Sequence, residues 1–122
     1  MRALVVDDEP DILELLKICL SADGWEVACA QDSETAYRLA LAEHPELLVV
    51  DLLLKTQSGK VLAERIRALP DLQNLPTVFI SASYTTNRFD LGENVVMLPK
   101  PFDLLELQKV ARDLAARQSG GK

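Results

Sequence analysis

Five short apolar runs punctuate the chain, at 3–6, 25–30, 47–50, 77–80 and 95–98. The first, third and fourth are apolar without alternation. A strand solvated on one face alternates, so unbroken runs predict a parallel sheet covered by helices on both faces. Between the runs, apolar positions recur with a helical period. Ile12, Leu15, Leu16, Cys19 and Leu20 form one predicted stripe, with Pro10 suited to the first turn and Gly24 to the turn that ends the helix. Asp32 is the predicted N-cap of a second helix that buries Ala36, Leu39 and Ala40 and stops at His44-Pro45. A third helix is predicted over 58–69, with Leu62, Ile66 and Leu69 on one side and Pro70 behind it. The last opens at Asp103, with Glu106 three residues on as in a capping box, and buries Leu104, Leu107, Ala111 and Leu114. In 84–94 the helical period fails, and only Tyr84, Phe89 and Leu91 offer large anchors; one short turn or a loop is expected there.

Strand and helix alternate throughout, which at this length implies right-handed crossovers and a doubly wound α/β sheet. In such sheets function gathers beyond the carboxyl ends of the strands. Those ends carry the candidate chemistry. Asp7 and Asp8 follow the first apolar run and Asp51 follows the third. One acid at a strand end commonly just starts the next helix. Three acids at two strand ends repel one another unless a cation joins them. Oxygen ligands without nearby Cys or His favour a hard divalent ion, Mg²⁺ first, with Mn²⁺ able to take the same ligands. Ser81 follows the fourth run and Lys100 the fifth. Alone, each reads as a turn residue and a solvated charge. Facing an acidic, metal-bearing pocket, a hydroxyl and an ammonium would suit a phosphoryl group.

Composition narrows the classes. The chain has 122 residues, enough for one domain, and 48 % of them are hydrophobic, enough for one core and against intrinsic disorder. A formal charge of −6 disfavours binding to a nucleic-acid backbone through a basic surface. No run is long enough for a signal peptide or a membrane span, so a cytoplasmic protein is expected, with no membrane partner. Cys19 and Cys29 lack CxxC or His pairing and read as free thiols packed like small apolar residues. His44, at a helix end, reads as structural or solvated, and Trp25 as a partly buried strand aromatic.

Five motifs in register carry a family resemblance: Val5-Val6-Asp7-Asp8-Glu9-Pro10, Val49-Val50-Asp51-Leu52, Ser58-Gly59, Ile80-Ser81-Ala82 and Lys100-Pro101-Phe102. Across 2–116 the chain resembles the receiver domain of two-component response regulators. The resemblance implies a five-stranded, flavodoxin-like sheet of order 2-1-3-4-5. It implies that Asp51 is the phosphoacceptor, taking a phosphoryl group from a phosphohistidine of a histidine kinase or a phosphotransfer protein. Asp8 and Asp51 would hold Mg²⁺ directly, with the backbone carbonyl of Leu53 as a third ligand and Asp7 acting through a bound water. Lys100 would pair with the acids and then with the phosphoryl oxygens, aimed inward by a cis Lys100–Pro101 bond. Ser81 would hydrogen-bond the phosphoryl group and report its arrival. Leu53 and Ser83 would flank the path of the hydrolytic water. A signalling switch of this kind is not an enzyme in the ordinary sense, beyond modest self-catalysed phosphorylation and dephosphorylation.

The chain also departs from that pattern. Met97 stands where receivers usually carry a switch aromatic, and Leu54-Lys55 stands where Met-Pro is frequent. The stretch from Ser81 to Lys100 is short, so the fourth helix is expected to be short or missing. That argues against the common dimer through the fourth helix, fifth strand and fifth helix. Rival readings are a receiver-like interaction module that is never phosphorylated, an aspartate-nucleophile phosphatase of the haloacid dehalogenase type, and a flavodoxin-like cofactor binder. The phosphatase fits poorly because Glu9-Pro10 stands where its second acid belongs, and the cofactor binder because acids occupy its phosphate loop. The expected organisation is a receiver domain over 1–117 and a flexible tail or linker start over 118–122. The output domain or downstream protein is not legible.

Overall fold

The computed structural model describes residues 1–55, 57–81 and 94–120, with side chains described as far as residue 116. Five strands, β1 (Arg2–Val6), β2 (Glu26–Ala30), β3 (Leu47–Asp51), β4 (Thr77–Ser81) and β5 (Val95–Pro99), form one sheet. All pairings are parallel and the order is β2-β1-β3-β4-β5, as the resemblance implies. Among the described residues the helices are α1 (Pro10–Ala22), α2 (Ser33–Glu43), α3 (Gly59–Arg67) and α4 (Leu104–Gly120), with a 3-10 turn at Pro70–Leu72. The short or missing helix predicted between β4 and β5 lies in 82–93, outside the described residues. Helix α4 continues through Gly120, past the boundary at 117 drawn from the sequence.

The sheet divides the core in two. Ala3, Val5, Leu47, Val49, Val78, Ile80 and Leu98 point to one face, where α1 and α4 cover them. Leu4, Val6, Leu48, Val50 and Phe79 point to the other, beneath α2 and α3. Neighbours in sequence thus belong to different cores, which is why the strands show no alternation. At about 25 cal/mol per Å² of buried apolar surface, these two layers are the main term holding the sheet.

The caps fall where the polar residues predict. Asp32 accepts a hydrogen bond from Thr35 N (2.8 Å), and Ser58 Oγ accepts one from Val61 N (3.1 Å). His44 closes α2 in the left-handed region (φ 48°) and stays exposed, and Gly24 turns the chain after α1 at φ 95°. At Asp103 the carboxylate accepts from Leu105 N (2.9 Å).

The predicted stripe of α1 requires correction. Leu13, Leu16, Cys19 and Leu20 are buried, while Leu15 is exposed and Ile12 only partly covered. Apolar residues occupy 12, 13, 15, 16, 18, 19 and 20, so more than one helical face is apolar and packing decides between them. Leu39, Leu69 and Leu104 are likewise half-buried rather than buried. Trp25, expected to be partly buried, is buried and precedes β2 by one residue. Helices α1 and α4 are joined through Cys19: its Sγ donates to Leu104 O (3.3 Å), and Gln108 Nε2 donates to its carbonyl oxygen (2.8 Å).

Candidate functional site

Register brings the acids together. The pairing of β1 with β3 ends at Val6–Val50, so the next residues, Asp7 and Asp51, leave adjacent strands side by side. Both carboxylates are buried. Asp51 Oδ1 accepts a hydrogen bond from Leu53 N (2.9 Å), and Oδ2 accepts one from Lys100 Nζ (3.0 Å). Asp7 Oδ1 accepts from Glu9 N (2.9 Å). Asp7 Oδ2 is buried and, among the described residues, accepts no hydrogen bond; the Lys100 ammonium lies 3.7 Å away, attracting it without reaching hydrogen-bond distance.

One ammonium therefore faces two buried carboxylates. Desolvation pushes the Asp7 carboxyl above its usual range. The Glu9 N–H and the Lys100 charge oppose that rise, and the nearby Asp51 charge adds to it. Burial pulls the Lys100 ammonium down, but its hydrogen bond to Asp51 and the charges of Asp51, Asp7 and Glu9 outweigh this and raise it. Lys100 is accordingly held as a cation.

Lys100 is placed by backbone as well as by charge. Its N–H donates to Ser81 O (2.7 Å), joining the ends of β4 and β5, and the Lys100–Pro101 bond is cis. Ser81 is buried at the end of β4. Met97 sits half-buried on β5, paired in register with Phe79 and packed on the α2/α3 side of the sheet. Ser83 lies outside the described residues.

Asp8 stands apart from the pair. It is partly exposed, and its Oδ2 accepts from Lys55 N (2.9 Å) across the connection between β3 and α3. Among the described residues, no three acidic, His or Cys side chains gather as a metal site would gather them. The donor set nonetheless fits a hard divalent ion: all ligands are oxygens, two carboxylates are buried together, and one buried oxygen lacks a hydrogen-bond donor.

Three features of the site escaped sequence reasoning. The β3–α3 connection is closed at its base by an antiparallel bridge between Leu53 and Ser58 and by Gly59 N donating to Leu52 O (2.8 Å). Gly59 approaches the Asp51 backbone so closely that a Cβ there would lie 2.9 Å from the Asp51 carbonyl carbon. The Ser58-Gly59 pair was the available signal for that approach. For the Lys55 N–H there was none, because a backbone donor leaves no mark on residue type.

The profile of the response regulator receiver domain matches residues 3–112. The transcriptional regulatory protein TrcR of Mycobacterium tuberculosis is 33 % identical over 98 % of this chain, which spans 47 % of TrcR. The sensor histidine kinase TmoS of Ectopseudomonas mendocina is 31 % identical over 98 % of this chain, which spans 12 % of TmoS. This chain thus covers about half or less of the length of these relatives. Among solved structures, a CheY-like receiver domain protein from Methanospirillum hungatei superposes with a TM-score of 0.88 at 21 % identity, covering 99 % of this chain and 98 % of that one. The last agreement concerns the fold alone. Among the described residues no helix is long and apolar enough to cross a membrane.

Proposed function

The chain belongs to the response regulator receiver domain family, a phosphoacceptor signalling domain rather than a classical enzyme, and we propose that Asp51 is its phosphoacceptor. The observation that carries the reading is the Asp51–Lys100 contact of 3.0 Å beside buried Asp7, at the carboxyl ends of β1, β3 and β5. A carboxylate oxygen of Asp51 attacks the phosphorus of a phosphohistidine; the O–P bond forms, the P–N bond breaks, and the imidazole leaves with its electron pair. Lys100, held cationic, turns from the carboxylate toward the incoming phosphoryl oxygens. Ser81, at the next strand end, donates to the same group and passes its arrival to the β4–β5 edge. Asp8, Asp51 and the Leu53 carbonyl would hold Mg²⁺, with Asp7 acting through water; when bound, Mg²⁺ offsets charge on the transferring group.

The donor in this reading is a histidine kinase or a histidine phosphotransfer protein, and the setting is the cytoplasm. The receiver unit in this reading is 1–117, and α4 runs on from it through Gly120. Small phosphodonors suffice to test the site, because a receiver of this kind catalyses its own modest phosphorylation. Incubation with acetyl phosphate and Mg²⁺ should add one phosphoryl mass to the parent and none to Asp51→Asn. Lys100→Ala should slow the reaction without moving the site of attachment. An unchanged mass shift in Asp51→Asn overturns the assignment.

A further inference from the structure

Asp8 is bonded across to a loop that follows a different strand, β3, rather than its own. Its Oδ2 accepts a hydrogen bond from Lys55 N at 2.9 Å, while Asp7 and Asp51 share Lys100. The loop that supplies this donor is anchored at both ends. The Leu53–Ser58 bridge and the Gly59 N–Leu52 O bond close its base. On the α3 side, Arg65 Nη1 donates to Gln57 Oε1 (3.3 Å). Arg65 in turn lies 3.5 Å from Glu34 Oε1 and 4.6 Å from the centre of the Tyr37 ring, which ties it to α2. Lys55 N lies between these anchors and holds the Asp8 carboxylate on the β3–α3 side.

We propose that the Lys55 N–H competes with a divalent cation for the Asp8 carboxylate, so that metal entry requires the β3–α3 connection to release Asp8. The inference rests on the metal-site reading above and adds a control on affinity that belongs to this chain's own loop. A carboxylate oxygen that accepts an N–H has a lone pair committed and a rotamer fixed by it. Among the described residues the acids do not gather as a metal site in this arrangement, so joining Asp51 at a metal requires Asp8 to leave it. Metal binding at the acids and the position of the loop beside them are thereby coupled, and the coupling is reciprocal. Leu53, with its exposed side chain, and Lys55 then respond to metal before any phosphoryl group arrives.

Proline at position 55 removes the donor, because proline has no N–H, while alanine keeps it; both lack the ammonium, so the side-chain charge drops out of their difference. Mg²⁺ titrations of the parent, Lys55→Ala and Lys55→Pro should show Lys55→Pro binding about fivefold tighter than Lys55→Ala, the worth of one net hydrogen bond. The parent supplies a second measurement that needs no variant to fold. Its Lys55 amide should lose hydrogen-exchange protection as Mg²⁺ saturates the site. Equal affinity in Lys55→Pro and Lys55→Ala, weaker binding in Lys55→Pro with native fold retained, or a Lys55 amide still protected at saturation overturns the competition. Absence of saturable Mg²⁺ binding in all three chains overturns the metal-site reading itself, and this inference with it.

Discussion

A single methyl group added at Gly59 should reach β3 and Asp51 through backbone alone. Gly59 opens α3 and donates to Leu52 O at 2.8 Å, so the helix start is pinned to the end of β3. A Cβ on Gly59 would lie 2.9 Å from the Asp51 carbonyl carbon and 3.0 Å from the Leu52 Cα, and nearer still to the Asp51 carbonyl oxygen. Carbon–carbon contacts settle at about 3.5–4.0 Å, so helix and strand must part by about half an ångström or more. Every one of those three atoms is backbone, so no side-chain rotation relieves the contact. The Gly59–Leu52 hydrogen bond resists the separation, and Asp51 moves with whatever yields.

Two effects of opposite sign meet at this position. Alanine is favoured over glycine inside helices by up to about 1 kcal/mol. Overpacking against fixed neighbours costs about 1–3 kcal/mol. With backbone as the neighbour the upper half of that range applies, and the net expectation is a loss of about 1–2 kcal/mol. Urea unfolding of parent and Gly59→Ala measures it directly. Acetyl phosphate labelling in the absence of urea, where the variant stays folded, should also be slower, because Asp51 is displaced from Lys100. A variant as stable as the parent, or more stable, refutes the close approach, since propensity alone would then have decided the outcome.

Two further outcomes are expected. Leu53, two residues after Asp51, has 66 % of its surface exposed, and its side chain offers no hydrogen bond; Leu53→Asn should speed loss of the phosphoryl group by about threefold to tenfold by orienting the attacking water, as read from phosphate release at constant Mg²⁺, and an unchanged or slower decay counts against water placement there. The Thr35 backbone N–H first, and then its hydroxyl, holds the Asp32 carboxyl below its usual range. A depressed folded value means that this stabilisation is present above the ordinary Asp range and lost as pH falls through the folded value. Asp32→Asn caps α2 without titrating, so subtracting its unfolding curves from the parent's should leave an acid limb of that sign, and a flat difference refutes the cap's contribution.

What was legible in the sequence, and what was not, follows from the kind of interaction involved. Burial on both faces of a parallel sheet leaves unbroken apolar runs, so β1, β3 and β4 could be placed to within a residue, and the acids after them marked the working end. Helix faces were less legible. In α1 two apolar stripes compete, and the choice of Leu13 over Leu15 is made by α4 and the sheet rather than by residues 10–22 themselves. The site divides in the same way. Asp7, Asp51 and Lys100 converge because parallel register puts successive strand ends beside one another, and side chains of that chemistry announce themselves. The Lys55 N–H on Asp8 and the bare Cα of Gly59 against Asp51 act through backbone, where residue identity says little. Those two contacts meet on one short connection, which links the outlying acid Asp8 to the strand carrying Asp51. The chain's departure to Leu54-Lys55 falls within it, so this difference from the family pattern touches the backbone donor presented to an acid that would hold the metal.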